Sequence, residues 1–427
     1  MKTYLNPKRQ QWSELTTRPT QDYAALEDSV QLIFKEVQAK GDVAVQKYTN
    51  LFDGVQLDNL KVSQVELTSS ESMVSPTLKS ALQQAKENIE KFHKAQQTPI
   101  VTVETSPGVI CWQEKRPIEK VGLYIPGGTA PLFSTVLMLA IPAKLAGCKE
   151  IVLCSPPRKD GSFAPEILYA AQLCGVTEVY KVGGIQAIAA LTFGTASIPK
   201  TSKIFGPGNQ YVTVAKQVAT RYGAAIDLPA GPSELLVYAD ETAVAAFVAS
   251  DLLSQAEHGA DSQVVLVASN SKFVDEVQKE LEAQLKTLSR KSITEKAIQN
   301  SLMIVLEKEE EALAFINAYG PEHFIVCSKN EDFILNGIQN AGSVFVGNYT
   351  PESAGDYASG TNHTLPTNGY AQNYSGVNLD SFLKSMTFQK ISSEGLQNLG
   401  NTIEVMAEAE GLDAHKNAVT IRLNTLK

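Results

Sequence analysis

The sequence contains no run of lysine and arginine, no cysteine pair spaced CxxC, and only five histidines among 427 residues. A formal net charge of -9 argues against a nucleic-acid backbone as a partner, since such binding rests on clustered cations. No stretch reaches the ~18 uninterrupted apolar residues of a membrane span. The opening MKTYLNPKRQQW lacks the apolar core of a signal peptide, so a cytoplasmic location is expected. The five cysteines, Cys111, Cys148, Cys154, Cys174 and Cys327, are odd in number and unpaired in spacing. That argues against both a disulfide framework and a thiolate zinc site. Cys111, Cys154 and Cys327 lie in or beside apolar runs, where a thiol fills space. A GxGxxG between strand and helix is also missing, and with it the usual dinucleotide fingerprint.

What is present is an ordinary globular composition, 43% hydrophobic and 19% charged, long enough for two or three domains. The N-terminal part reads as helical. Ser75-Pro76 has the form of an N-cap followed by proline at the first helical position. Leu78, Leu82, Ala85, Ile89 and Phe92 then form one apolar stripe, with His93 at its edge beside Lys91 and Lys94, read as a surface histidine. From Val121 short apolar strands alternate with helices (VGLYIPGG, STVLMLAIPAKLAG, EIVLCSPP, EILYAAQLCG and onward), which implies βαβ units on a parallel sheet. After PAGPSELLVYAD a second such series follows. The last ~50 residues lose the strand pattern and read as a polar, helical tail. The expected fold class is α/β, with two parallel-sheet units, a helical N-terminal region and a helical C-terminal tail.

Glycine loops recur at the expected carboxyl ends of strands: PGG at 126, GG at 183, GPG at 206 and AGP at 230. Turn chemistry alone would explain one of them. Four on one edge favour a ligand that backbone amides approach closely. Elsewhere, YGPEHFIV places Glu322 and His323 side by side at the mouth of a short apolar strand. A solvated loop end and a general acid/base pair are both open from this octapeptide alone. Gln255 and His258 lie at i and i+3 on a helix expected to end at Gly259. Asp356 and His363 sit in a Gly/Ser/Thr/Pro-rich stretch read as an irregular functional loop, and Glu410 and His415 lie in the tail. Together Gln255, His258, Asp356 and His415 offer two nitrogens and two oxygens, a donor set suited to a working zinc ion.

At these residues the chain resembles the L-histidinol dehydrogenase family. The matching stretches are VGLYIPGGTAPLFSTVLMLAIPA, KIFGPGNQYVT, DLPAGPSELLV, DLLSQAEHGADSQ, GPEHF, SAGDYASGTNHTLPT and, in the tail, EGLDAH. One small departure is Ile185 in GGIQAIAA, where alanine is expected; it touches nothing catalytic. The resemblance implies oxidation of L-histidinol to L-histidine in two NAD-dependent steps through a bound aldehyde. It makes Gln255, His258, Asp356 and His415 ligands of one zinc per subunit, with manganese the other candidate. It places Ser233, Glu322, His323, Glu410 and the metal ligands around the substrate, and Tyr124, Gln186 and Asn209 on NAD. It also implies a homodimer whose tail crosses, so that Glu410 and His415 complete the other chain's site. The sheets would be incomplete Rossmann-like folds. Residues 1–120 and 234–375 would form the metal and catalytic domain, 121–233 the NAD domain and 376–427 the dimerisation tail.

An imidazole titrating near neutrality suits removal of a hydroxyl proton as hydride departs, which assigns that role to His323 in both steps. A carboxylate can activate the water that the second oxidation needs, which assigns that role to Glu322. Neighbours on a regular strand face opposite ways, so both reach one substrate only if Gly320-Pro321 breaks the backbone. Zinc in this scheme positions the substrate's imidazole and amino group. Two other classes stand beside this reading: a zinc hydrolase, which leaves the glycine loops without a task, and a non-catalytic two-lobed binding module, which leaves the Glu-His pair idle.

Overall fold

The structure is a computed structural model that describes residues 1–18, 23–127, 131–229 and 231–426. Gly128 of the PGG loop and Ala230 of AGP therefore lie outside the described residues. The chain divides into two compact units, Met1–Gln96 with Glu119–Ser381, and Gln97–Ile118 with Phe382–Lys427.

The strands, in chain order, are β1 (Lys2–Leu5), β2 (Val101–Ser106), β3 (Val109–Pro117), β4 (Lys120–Tyr124) and β5 (Glu150–Ser155). Then come β6 (Glu178–Lys181), β7 (Lys203–Phe205), β8 (Ala225–Ile226), β9 (Glu234–Ala239) and β10 (Gln263–Ala268). The last four are β11 (Leu302–Val305), β12 (His323–Cys327), β13 (Ser343–Val346) and β14 (Leu383–Ile391). The first unit holds two parallel sheets, ordered β1-β11-β10-β9-β12-β13 and β6-β5-β4-β7-β8. This is the α/β architecture expected from the strand–helix alternation.

Both faces of the six-stranded sheet are covered, which is why its strands read as continuous apolar runs. Leu235, Val237, Leu266 and Ile325 face the helices Ala245–Ala256 and Ser271–Leu285. Leu236, Tyr238, Val265 and Phe324 face Trp12, Phe315 and Tyr319 on the other side. In the five-stranded sheet, Val152, Cys154 and Ile204 share a core with Val30, Phe34 and Tyr48. The N-terminal helices Tyr23–Lys40 and Asp42–Asp53 thus pack with the 121–233 strands rather than with 234–375.

Three expectations change. The N-terminal region is not purely helical, because Lys2–Leu5 adds an edge strand to β11; four residues are too few to show a period. The tail is not purely helical either. Its residues 383–391 pair antiparallel with β3, which pairs in turn with β2, so 97–118 and the tail form one unit. Trp112 stacks on Phe388 across that ladder at 5.1 Å, while most of β14 stays exposed, its polar residues interrupted by exposed Met386 and Ile391, which hid the strand. Third, His93 is fully buried, with Nδ1 2.9 Å from the Ile89 carbonyl. The apolar stripe runs through Leu82, Ala85 and Ile89 and ends on His93, one turn after Ile89, while Phe92 is exposed. The Ser75 cap did form, accepting from the Leu78 N–H at 3.2 Å. Among the described residues no helix is long and apolar enough to cross a membrane.

Candidate active site

The helix Glu309–Tyr319 stops at Gly320, whose φ of 60° supplies the left-handed turn that a glycine accepts freely. Pro321 follows, and β12 begins only at His323. Glu322 therefore precedes the pleat and escapes its alternation. Its Oε2 lies 3.6 Å from His323 Nδ1, so acid and imidazole converge. The backbone of Glu234, first residue of the neighbouring β9, holds both: its N–H donates to Glu322 Oε2 at 2.9 Å, and its carbonyl lies 3.3 Å from His323 Nδ1.

Two further elements close on this tip. The helix Ala245–Ala256 ends three residues before Gly259, earlier than expected, with Glu257 as its C-cap. The chain keeps turning, since the His258 N–H donates to the Gln255 carbonyl at 3.2 Å. Gln255 is buried and His258 is exposed. The 350–360 stretch, expected to be irregular, contains a short helix, Glu352–Tyr357. Its Gly355 packs against the Phe345 ring of β13, where a Cβ would collide. Glycine here permits a helix to approach a strand. The helix puts Glu352 and Asp356 at i and i+4, one face, and both point to His323: Glu352 Oε1 lies 3.8 Å from Nδ1 and Asp356 Oδ1 lies 3.7 Å from Nε2. Candidate ligand atoms of His323, Glu352 and Asp356 all fall within 4.8 Å of one another. Glu352 and Glu234 were missed by sequence reasoning. The only signal for Glu352 was its four-residue spacing from Asp356.

The remaining loop is tied down from another helix. Pro142 inside Phe133–Ala146 has no N–H to give to the Met138 carbonyl. That carbonyl accepts instead from Asn362 Nδ2 at 2.6 Å. Next door, His363 places Nδ1 2.9 Å from the Asp356 carbonyl and Nε2 3.3 Å from Thr135 Oγ1.

Burial opposes charge throughout this cluster, and the carboxylates decide where protons sit. Burial raises the pKa of Glu322 above the usual carboxylate range, only partly offset by His323. It raises Glu352 to about 8, with the neighbouring Asp356 and Glu322 charges adding to the effect. Burial alone would depress His323; Glu322 and Glu352 outweigh it and raise the imidazole well above its ordinary value. Desolvation works against the Asp356 charge too, but the His323 imidazole beside it wins and lowers the carboxyl. His258, although exposed, is lowered by the protein around it, as is His363.

The donor set fits a divalent cation. His323 Nε2 is buried without a hydrogen-bond partner. With its oxygen toward Glu352, the Gln255 amide sets two acceptors against each other. Turning the amide relieves this, giving a bond to Glu352 Oε1 and acceptance from the Glu234 N–H at 3.1 Å; a shared cation would relieve it as well. Beside the cluster, Ser233 and His258 line a cavity of about 210 Å³ together with Asn209, Thr213 and Asp261. Gly231 and Pro232 line it too, so the AGP loop leads to the amino end of β9, unlike the other three glycine loops.

Those three follow β4, β6 and β7; a larger cleft of about 940 Å³ is lined by Tyr124, Gly127, Gly184 and Asn209, while Gly208 of GPG lines the smaller cavity. The Tyr124 hydroxyl accepts from the Gly184 N–H at 3.1 Å, and burial pushes its pKa up to about 12. Asn209 caps Gln210–Thr220 by accepting from the Tyr211 and Val212 N–H groups, and it lines both cavities. Gln186 is fully buried and neither amide atom has a partner. Glu410 and His415 belong to the second unit, exposed where Ser393–Ala409 meets Asp413–Asn424. They are not among the residues that the first unit gathers at His323.

The family model described as histidinol dehydrogenase matches residues 16–423. A histidinol dehydrogenase of Bacteroides thetaiotaomicron is 56% identical over 427 residues, covering 100% of both chains. That of Vibrio cholerae is 54% identical over 420 residues, covering 98% of this chain and 96% of the other. A crystal structure of histidinol dehydrogenase from Elizabethkingia anophelis superposes with a TM-score of 0.98 at 55% identity, covering 100% of this chain and 98% of that one. The chain belongs to the histidinol dehydrogenase family.

Proposed function

We propose that the protein oxidises L-histidinol to L-histidine through L-histidinaldehyde, the last two steps of histidine biosynthesis, by two NAD-dependent hydride transfers at a zinc-containing site. The observation that carries this reading is the buried Glu322–His323 pair facing Asp356 and Glu352 at one strand tip. His323 takes the hydroxyl proton of histidinol as the carbinol hydride leaves, giving the aldehyde. Glu322, with its pKa raised by burial, then takes a proton from water as that water adds to the aldehyde carbonyl. His323, having passed its first proton to solvent, removes a hydroxyl proton from the resulting hydrate as the second hydride leaves, and the carboxylate of histidine remains.

Gln255, His258, Asp356 and His415 would hold the metal; when bound it would position the substrate's imidazole and amino groups and offset the carboxylate field around His323. NAD, the hydride acceptor, would lie along the large cleft against Tyr124, Gln186 and Asn209. The unpaired amide of Gln186 supports this, since buried polar atoms ordinarily have partners. Ser233 and Glu410 would complete the substrate site. The protein would act in the cytoplasm as a homodimer, the tail of a second copy supplying Glu410 and His415. In support, Val101, Val405, Met406 and Ile421 of the tail unit are each more than half exposed, as surfaces awaiting a partner are.

The test is NADH formation from histidinol by purified protein, with elemental analysis of the same sample. NADH formed in a two-to-one ratio to histidine, with about one zinc per chain, is expected. Histidinol left unoxidised under these conditions would overturn the proposal.

A further inference from the structure

Neither the reaction nor the metal explains Arg18. Its guanidinium is buried and grips Glu234 bidentately, Nε to Oε2 at 2.7 Å and Nη2 to Oε1 at 2.9 Å. Nη2 also donates to the Tyr319 carbonyl at 2.7 Å and Nη1 to the Thr16 carbonyl at 2.8 Å. The guanidinium carbon sits 3.5 Å from the centroid of the Tyr319 ring. One planar side chain thus joins the N-terminal segment, the first residue of β9 and the helix end that leads into Glu322.

An ion pair this buried, with side chains 7% and 1% exposed, is a poor device for stability. Desolvating both charges offsets most of their attraction, and apolar replacements of similar volume are often neutral or better. What the pair does offer is a fixed geometry. Glu234 is the residue whose backbone holds both members of the acid–imidazole pair, and its Oε1 also accepts from the Glu322 N–H at 3.3 Å. A bidentate guanidinium fixes that carboxylate in plane and distance as an ammonium cannot.

We propose that Arg18 is a positioning residue: acting through Glu234, it sets where the Glu322 carboxylate and the His323 ring stand relative to the substrate. The proposal rests on the roles given above to Glu322 and His323, and it adds a residue that touches neither substrate nor cofactor. Misplacement near 1 Å at reacting groups costs on the order of 100-fold in rate.

The experiment uses full-length enzyme and the Arg18→Ala variant. kcat should fall about 100-fold while KM for histidinol and for NAD stay within about threefold, because the binding groups are untouched. Guanidinium ion at sub-denaturing concentration should restore much of the loss, and ammonium should not. Arg18→Lys should be intermediate. Independently of turnover, the ring-nitrogen resonances of His323 should shift in the variant while those of His93 stay in place. A folded variant with kcat near wild type, or a loss that guanidinium leaves unchanged with His323 unshifted, overturns the proposal. If Arg18→Ala fails to fold, the double variant Arg18→Met/Glu234→Met removes both charges. It should fold, lose kcat similarly and resist guanidinium; wild-type kcat in it overturns the proposal. A wild-type enzyme that forms no NADH refutes the proposed reaction instead, and the His323 resonances then decide the role of Arg18 alone.

Discussion

The two parallel sheets of the first unit use opposite edges. In the five-stranded sheet the cleft lies beyond the carboxyl ends of β4, β6 and β7. Helices start there: Gly184–Phe193 after Gly183 and Gln210–Thr220 after Asn209, presenting N–H groups. In the six-stranded sheet the reactive cluster sits at the amino ends of β9 and β12. Helices finish there: Ala245–Ala256 delivers Gln255, and Glu309–Tyr319 delivers Glu322. The positive ends of helix dipoles favour anions and the negative ends favour cations. One edge is thus suited to a pyrophosphate and the other to a metal and an imidazolium. The same architecture thus presents two edges of opposite sign.

The strongest disruption of this contrast strikes the cation edge. His258→Asn should abolish both bound metal and turnover while the fold persists, since an exposed ligand is lost and no core contact. His415→Asn should do the same if the tail completes a site. Mixing the two inactive chains should restore roughly a quarter of wild-type activity, because half the dimers are mixed and each has one intact site. Native mass spectrometry confirms exchange. Verified mixed dimers without activity would mean that His415 serves its own chain.

Glu322→Gln sharpens the division inside the cluster. Oxidation of supplied histidinaldehyde should drop ~100- to 10,000-fold, the usual cost of a lost general base. Oxidation of histidinol to aldehyde should persist at a substantial fraction of wild type. Single-turnover assays of each half-reaction separate them, and equal losses would reject the assignment.

The anion edge should respond to backbone changes. Gly206, at φ 127°, has its Cβ direction occupied by the Tyr124 carbonyl. Lys216 Nζ and the Asp227 carboxylate hold the loop by bonding its carbonyl and N–H at 2.8 Å each. Gly206→Ala should weaken NAD binding on the order of tenfold through about 1–3 kcal/mol of strain, with metal content unchanged. Calorimetric titration reads the first and elemental analysis the second.

The smallest effect concerns Asp53, which lines the same cleft. Burial raises its carboxyl from 3.8 to about 6. The folded state then holds a proton that the unfolded state has released, so stability falls as pH rises from about 4 to 6 and stays lower above that. Asp53→Asn should remove this slope and leave the protein about 1–2 kcal/mol more stable than wild type at pH 7, with little difference at pH 4. Urea denaturation at both pH values measures it; parallel pH profiles would contradict the assignment.

Much of this was legible beforehand where local rules suffice. The strand–helix alternation gave the parallel sheets, because strands buried on both faces must be apolar throughout. Gly320-Pro321 foretold the break that frees Glu322 from the pleat, and Ser75-Pro76 foretold a helix start. What stayed hidden depends on distant segments. β14 carries little alternation because its outer residues stay wet. His93 is buried by a loop that arrives nearly 270 residues later, where Asn362 approaches its ring. The helix Glu352–Tyr357 forms in a polar, glycine-containing stretch because Gly355 lets it lie on Phe345.

The sequence by itself determined the fold class, the family and the chemical types at the reactive centre, since those follow from periodicity and from motifs contiguous in the chain. Only the tertiary structure decided that Arg18, Glu234, Gln255, Glu322 and Glu352 share one buried network. Their contacts span up to 302 residues, and the protons on such groups are set by burial and by neighbours that no local pattern names.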